Sequence, residues 1–283
     1  MTPREALKKA TLMLRGANVP DPEVDSALLL SHLTGKQPLM LRLDMTTQLS
    51  EDTLCAFEKL LARRMEREPL QYLTGETVFL GQVFHVDGRV LIPRPETELL
   101  TERAMHAIRG FNTPVRVLDL CCGSGCIGLT LAGISGVQAT LCDLSQGALE
   151  VARSNAERLH VEAEFRQGDL FAPVQGERFH VIVSNPPYIP QEECKTLQEE
   201  VRKEPLMALD GGEDGLDFYR RIAAQALEQL QPDGVLLLEA GWNQAQEITQ
   251  MLRAAGMAQV DSYPDMQGIQ RMVEAHAPGG DRP

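Results

Sequence analysis

The sequence has no apolar run approaching the roughly 18 to 20 residues that cross a bilayer. Its opening residues, Met1-Thr2-Pro3-Arg4-Glu5, turn amphipathic at once, without the apolar stretch of a secretory signal. A soluble, cytoplasmic protein with no membrane partner is expected. The six cysteines (Cys55, Cys121, Cys122, Cys126, Cys142 and Cys194) lack the paired spacing of a metal site. No metal is expected, and the thiols read as reduced and mostly packed. Positive charge is also short, with 27 Lys and Arg against 40 Asp and Glu and a net charge of −13. Residues 1–75 carry ten of each sign while residues 76–283 carry seventeen basic and thirty acidic, so the excess lies in the second part. A duplex-binding face needs the opposite sign, so no direct nucleic-acid partner is expected.

What is present suits two domains: 283 residues with 43% hydrophobic content can build real cores. Residues 1–75 read as a small all-α domain. Thr2-Pro3-Arg4-Glu5 places a cap, a proline at the first helical position and a Glu three after the cap, and Asp21-Pro22-Glu23 repeats the signal. Gly35 and Pro38 interrupt the second helix, and a third starts near Ser50 with the stripe Leu54, Phe57, Leu60, Leu61, Met65. Any function here is partner recognition, since no catalytic constellation is visible. Residues 76–92 carry three short β-rich runs, with Asp87-Gly88 as the hairpin signal, and read as a β-hairpin linker. Pro93-Arg94-Pro95-Glu96-Thr97-Glu98 then reads as a helix entry.

From residue 93 to 283 the pattern is strand, turn, helix, repeated: strands at 115–120, 137–143, 163–167, 179–184 and 235–239, with helices between them. This predicts a mostly parallel Rossmann-like sheet covered on both faces. Residues 257–263 and 269–276 are predicted to close it with an antiparallel hairpin. Residues 189–216 are a long acidic connection, a candidate lid or substrate platform.

Two stretches carry chemistry. Gly123-Ser124-Gly125-Cys126-Ile127-Gly128 follows a strand and opens a helix, as a nucleotide-binding turn does, and Asp143 lies twenty residues after the first glycine, where it can take ribose hydroxyls. Asp119 stands where it can meet a cationic ligand, and Asp169-Leu170-Phe171 where it can flank an adenine. Nicotinamide dinucleotides and S-adenosylmethionine both suit this pattern. The second stretch is Asn185-Pro186-Pro187-Tyr188, where a double proline ends the apolar run Phe179–Ser184 and leaves an Asn at a strand's carboxyl end. Methyl transfer to a planar amide or amine nitrogen has a use for it. The Asn185 oxygen and the Pro186 carbonyl can hold both N–H groups and aim the lone pair, and Tyr188 can lie against the planar group. Hydride transfer has no evident use for these residues.

Val117-Leu118-Asp119-Leu120-Cys121-Cys122-Gly123-Ser124-Gly125, Asp143 and Asn185-Pro186-Pro187-Tyr188 resemble the class I, S-adenosylmethionine-dependent amino-group methyltransferases. Arg64 with Glu68-Pro69-Leu70-Gln71-Tyr72-Leu73-Thr74-Gly75, Leu91-Ile92-Pro93-Arg94-Pro95-Glu96-Thr97-Glu98, and Glu204-Pro205 with Ala208-Leu209 narrow the resemblance to the peptide-chain release factor glutamine N5-methyltransferases, nearly end to end. The resemblance implies N5-methylation of the glutamine in the Gly-Gly-Gln motif of class I release factors by a monomer whose helical domain helps hold that partner. It places S-adenosylmethionine at Cys121, Cys122, Gly123, Ser124, Gly125, Asp143, Leu170 and Asn185, and the glutamine at Asn185, Pro186, Pro187 and Tyr188. Cys121-Cys122 stand where the family commonly has glycine then threonine, and Leu170 where some relatives carry an aromatic. A ribosomal-protein glutamine and a nucleic-acid adenine N6 are the alternative targets; a non-catalytic adaptor is the alternative of another kind.

Overall fold

The structure is a computed structural model and describes residues 1–112 and 114–279. The described residues form two compact units: Met1–Glu76 with Gln198–Lys203, and Thr77–Leu197 with the residues from Glu204 onward. Residues 198–203, from the long acidic connection, thus group with the helical unit. No helix among the described residues is long and apolar enough to cross a membrane.

The first unit is built from α1 (Pro3–Gly16), α2 (Pro22–Thr34), α3 (Pro38–Leu43), α4 (Glu51–Met65) and α5 (Leu70–Thr74). Thr2 caps α1 in a reciprocal capping box with Glu5. Gly35 ends α2 in the left-handed conformation that glycine tolerates best. Pro38, read as an interruption, instead opens α3, because proline at the first helical position forgoes an N–H that has no partner there anyway. Leu14, Leu29, Leu30, Leu41, Phe57 and Leu61 fill the core, whereas Met65 is exposed and Arg64 is the buried residue at the end of α4. Arg64 tolerates burial because its guanidinium donates to Asp25 Oδ2 (2.7 Å), Glu200 Oε1 (2.9 Å) and the Glu68 carbonyl (3.2 Å). Arg67 adds a two-pronged contact to Glu200 at 2.7 and 2.6 Å. Burial raises the Glu200 carboxyl, but Arg67 and Arg64 outweigh it and bring it down to about 2.

From Glu76, where the first unit ends, into the second unit, β1 (Glu76–Phe79) and β2 (Gln82–His85) form a hairpin that turns at Leu80-Gly81. Asp87-Gly88 is therefore not the hairpin turn, and residues 90–92 form no strand. The hairpin buries Phe79 and Phe84 in the core of this unit, with the rings edge to face at 6.0 Å. After α6 (Pro95–Ile108) come β3 (Val115–Leu120), α7 (Cys126–Ala132), β4 (Val137–Asp143), α8 (Gln146–Leu159), β5 (Glu164–Gln167) and β6 (Phe179–Ser184). The short α9 (Gln191–Cys194) precedes α10 (Asp217–Gln229), β7 (Leu230–Glu239), α11 (Ala245–Ala254), β8 (Gln259–Pro264) and β9 (Gln270–His276).

The seven-stranded sheet runs β5-β4-β3-β6-β7-β9-β8, parallel from β5 to β7 and antiparallel through β9 and β8. The parallel sheet and the closing hairpin stand as the sequence predicts. Successive residues of each strand point to opposite faces. Leu118, Leu120, Ile182, Leu236 and Leu238 pack against Ile222 of α10 and Ile248 of α11. Val117, Leu141, Val181, Val183 and Leu237 pack under Leu100 of α6, Leu129 of α7 and Leu149 of α8. Burial on both faces explains why these strands read as continuous apolar runs. The chain steps outward from β3 to β5, then returns to place β6 on the other side of β3. The crevice between the carboxyl ends of β3 and β6 is thus the topological switch point, where open α/β sheets bind ligands.

Candidate functional site

Both motif stretches leave the sheet at this switch point. Beyond Leu120 the chain makes a tight turn in which Cys121 (φ 58°), Gly123 (φ 54°) and Gly125 (φ 79°) take the left-handed conformation. A glycine does this at no steric cost, while Cys121 carries strain of order 1 kcal/mol for its Cβ. Asp143, at the end of β4, holds the turn from the side: its Oδ2 accepts from the Gly123 N–H at 2.9 Å and its Oδ1 from the Ser145 N–H at 2.8 Å. Burial raises its carboxyl and these backbone donors oppose the rise.

A cavity of about 350 Å³ opens beside the turn. It is lined by Cys121, Gly123, Asp143, Leu170, Asn185 and Pro187 from the predicted set. A Cβ added at Gly123 meets no protein atom within 4 Å, so the main chain there is open to close approach. A bare turn, a carboxylate at the next strand end and the apolar Leu170 fit a nucleoside cofactor. Cys122 and Ser124 turn their side chains into the interior, and Gly125, Pro186 and Tyr188 lie outside the cavity lining. Asp169 lines the cavity and is paired with Arg221, whereas Phe171 is in the core. Among the described residues no group of three or more His, Cys, Asp or Glu is arranged to hold a metal.

Asp119 requires a correction. It is fully buried, its Oδ2 accepts from the Gly128 N–H at 2.8 Å, and it does not reach the cavity. Its work is to hold the start of α7 against the sheet. Burial pushes its carboxyl up to about 8, with the Gly128 N–H opposing and the Asp143 charge adding to the rise.

On the other side of the crevice β6 delivers Asn185. Its Nδ2 donates to the Thr97 hydroxyl at 3.1 Å, and Thr97 in turn donates to Glu239 Oε2 at 2.7 Å. Among the described residues neither Asn185 Oδ1 nor the Pro186 carbonyl accepts a hydrogen bond from the protein. Two acceptors are thus left at the end of a rigid double-proline exit. The backbone of Tyr188 is gripped by Gln244, whose Nε2 donates to the Tyr188 carbonyl at 2.9 Å and to the Gly215 carbonyl at 3.2 Å. The glycines of the acidic segment have a packing reason. A Cβ at Gly215 falls 2.3 Å from the Tyr188 oxygen, and one at Gly211 falls 2.8 Å from the Tyr188 Cα. Pro205, Met207, Ala208 and Asp210 of the same segment form one wall of the cavity.

Sequence reasoning missed Arg89, Phe218 and Arg221, which line the cavity from other parts of the chain, Ser145 beside Asp143, and Glu239, which lies beneath the clamp. Glu239 carried a signal, as an acid that closes an apolar strand.

Residues 5–75 match the family model described as the PrmC N-terminal domain, and residues 97–213 match the methyltransferase small domain. A release factor glutamine methyltransferase of Deinococcus radiodurans is 41% identical over 98% of this chain and 99% of its own. One from Geobacter sulfurreducens is 40% identical over 96% of this chain and 95% of its own. Among solved structures, a methyltransferase from Pyrococcus furiosus superimposes with a TM-score of 0.53 at 18% identity, covering 71% of this chain and 91% of that one, which is a likeness of fold.

Proposed function

The chain belongs to the release factor glutamine methyltransferase family, and from that premise we propose how this site performs the reaction. It transfers a methyl group from S-adenosylmethionine to the side-chain amide nitrogen of a glutamine in a class I peptide-chain release factor, the Gly-Gly-Gln glutamine of the family. The cofactor, when bound, supplies an electrophilic methyl on a sulfonium.

The turn at 121–125, Asp143 and Leu170 would hold the cofactor. Gly123 lets it approach the main chain, the Asp143 carboxylate takes hydroxyl donors, and Leu170 offers apolar surface. An amide nitrogen is a poor nucleophile because its lone pair is delocalised into the carbonyl. Two acceptors on its N–H groups hold it in one orientation, and most of the rate gain then comes from positioning. Asn185 Oδ1 and the Pro186 carbonyl supply these acceptors, and Tyr188 lies beside them to shield the planar group from water. No base is needed before transfer, because the nitrogen becomes acidic only once it carries the methyl. The free proton then leaves to solvent.

The observation that carries this reading is Asn185: anchored by its Nδ2, it keeps its oxygen unpaired at the wall of the cavity that the glycine turn lines. The helical domain, which matches the family's N-terminal domain, is the part proposed to hold the release factor. Asn185→Ala is expected to lower turnover on release factor by at least about a hundredfold, with cofactor affinity by calorimetry within about twofold of wild type. A variant that keeps wild-type turnover sinks the clamp. Labelled methyl found in DNA or a ribosomal protein, and none in release factor, overturns the choice of substrate.

A further inference from the structure

The segment Pro93–Glu98, which reads in the sequence only as a helix entry, touches the clamp through one side chain. Thr97 is 2% exposed and lies between Asn185 and Glu239, itself 1% exposed. We propose that Thr97 and Glu239 form a buried relay that fixes which way round the Asn185 amide sits, and so turns its oxygen toward the glutamine nitrogen. The inference rests on the clamp reading above and adds two positioning residues that touch neither substrate nor cofactor.

The argument is one of counting hydrogens. An Asn amide presents an acceptor at one end and a donor at the other, and the two are nearly the same shape. Only its surroundings decide which end faces the cavity. The Thr97 hydroxyl has one hydrogen. While Glu239 is ionised it can only accept, so Thr97 gives that hydrogen to Oε2 at 2.7 Å and presents a lone pair to Asn185. The Asn185 amino group then faces Thr97 at 3.1 Å, and Oδ1 is left for the substrate. A protonated Glu239 can instead donate to Thr97. The hydroxyl hydrogen then turns toward Asn185 and favours the flipped amide, which offers an N–H where an acceptor is needed.

The groups around Glu239 set this balance. Glu96 and Thr97 face it from α6, Tyr188 from the exit of β6 with its hydroxyl 3.5 Å from Oε1, and Arg271 from β9, while Tyr219 of α10 donates to its carbonyl at 2.7 Å. Burial pushes its carboxyl up to about 7, with Thr97 and Arg271 opposing and Glu96 adding to the rise.

The test compares wild type, Thr97→Val, Thr97→Ser and Glu239→Gln in steady-state methylation of release factor from pH 6 to 9, with cofactor binding by calorimetry. Thr97→Val is expected to lower kcat about tenfold, the effect of one hydrogen bond on orientation, with the KM and the cofactor affinity within about twofold. Thr97→Ser, which restores the hydroxyl without the methyl, is expected to recover kcat to within about threefold. Wild-type kcat should rise through pH ~7 and Glu239→Gln should lose that rise. Wild-type kcat in Thr97→Val, or equal loss in Thr97→Val and Thr97→Ser, overturns the relay, the second by assigning the effect to packing. Independently of activity or of any variant's folding, the Asn185 side-chain amide resonances of 15N-labelled wild type should shift with a midpoint near pH 7, and pH-invariant resonances overturn it. A wild-type enzyme that methylates no release factor glutamine sinks the clamp reading instead, and the resonances still decide the relay.

Discussion

Gly128→Ala is a test of how the cofactor turn is supported. Gly128 is the third glycine of the turn pattern and sits in the first turn of α7 with an ordinary helical backbone, so backbone freedom does not explain it. A Cβ built there falls 2.6 Å from Leu141 Cγ, 2.8 Å from Leu141 Cδ1 and 2.8 Å from Asp119 Oδ2. Leu141 is fully buried in β4, and Asp119 is held by the Gly128 N–H itself, so neither has room to retreat. Three effects compete. Alanine gains about 1 kcal/mol in helix propensity over glycine. Overpacking of a closed core costs about 1 to 3 kcal/mol. Displacing the Asp119 carboxyl from a buried N–H costs a further 1 to 3 kcal/mol or so. The two losses outweigh the gain, and a net destabilisation of about 3 kcal/mol is expected by urea denaturation, with weaker cofactor binding because the turn at 123–125 runs directly into α7. Gly133→Ala is the control. The same helix ends there, the nearest atom to its Cβ is the Thr130 carbonyl oxygen at 3.4 Å, and the change is expected to be neutral or stabilising by up to ~1 kcal/mol. A Gly128→Ala protein as stable as the Gly133→Ala control refutes the close-packing account of this glycine.

Two further outcomes follow from buried acids. Asp119 is held at about 8 in the fold by burial, against about 3.9 in an unfolded chain. The folded state keeps a proton that the unfolded state releases, so this contribution is full below pH ~4 and is lost as the pH rises through 8, at ~1.4 kcal/mol for each pH unit traversed. Asp119→Asn should flatten that decline in thermal melts taken from pH 5 to 8.5, and parallel profiles for the two proteins would discard the assignment. Glu200 is the opposite case. Brought to about 2 by Arg67 and Arg64 against its burial, it contributes stability above the ordinary carboxylate pKa, and that contribution disappears as the pH falls toward 2. Glu200→Gln should cost the helical unit about 3 kcal/mol at neutral pH by stranding the two guanidinium groups. A loss below ~0.5 kcal/mol by denaturant unfolding would show that solvent serves them equally well.

The sheet was legible because burial on both faces leaves an unbroken mark on a strand. The runs at 115–120, 137–143 and 179–184 have no polar alternation to confuse them, and two prolines fix where the last one ends. Local turn chemistry was the poorer guide. Asp87-Gly88 has the composition of a hairpin turn, yet the chain turns at Leu80-Gly81, with leucine at φ 46°. The Leu80 N–H is taken by Glu98 Oε1 at 2.8 Å, and its side chain packs against the core that holds Phe79 and Phe84, so tertiary contacts override the preference of the dipeptide. The apolar stripe on α4 extends to Met65 in the sequence for a similar reason. Periodicity counts apolar residues, but the buried position is Arg64, admitted by carboxylates at Asp25 and Glu200 that lie far away in the chain. Thr97 and Glu239 are 142 residues apart, and no spacing rule connects them.

The placement of the acidic segment and of the clamp depends on one short stretch. Glu204 is buried, and its carboxylate is satisfied by the Ile92 N–H at 2.9 Å and by the Arg94 guanidinium. A buried carboxylate with these partners cannot leave them without exposing its charge to an apolar interior, at a cost of several kcal/mol. Immediately after it, Pro205, Met207 and Ala208 line the cavity. Three residues beyond Arg94, Thr97 anchors Asn185. The wall of the cavity and the acceptor for the amide are therefore referenced to the same proline-bounded stretch. Methyl transfer requires a donor and an acceptor held at a fixed separation, and this common reference adds to the direct pairing of β3 with β6 and to the Ser184 hydroxyl's bond to the Leu120 carbonyl at 2.7 Å. On this account the two prolines matter for stiffness: Pro93 restricts the approach of the chain to Arg94, and Pro95, with φ set near −65°, limits how far the distance from Arg94 to Thr97 can vary.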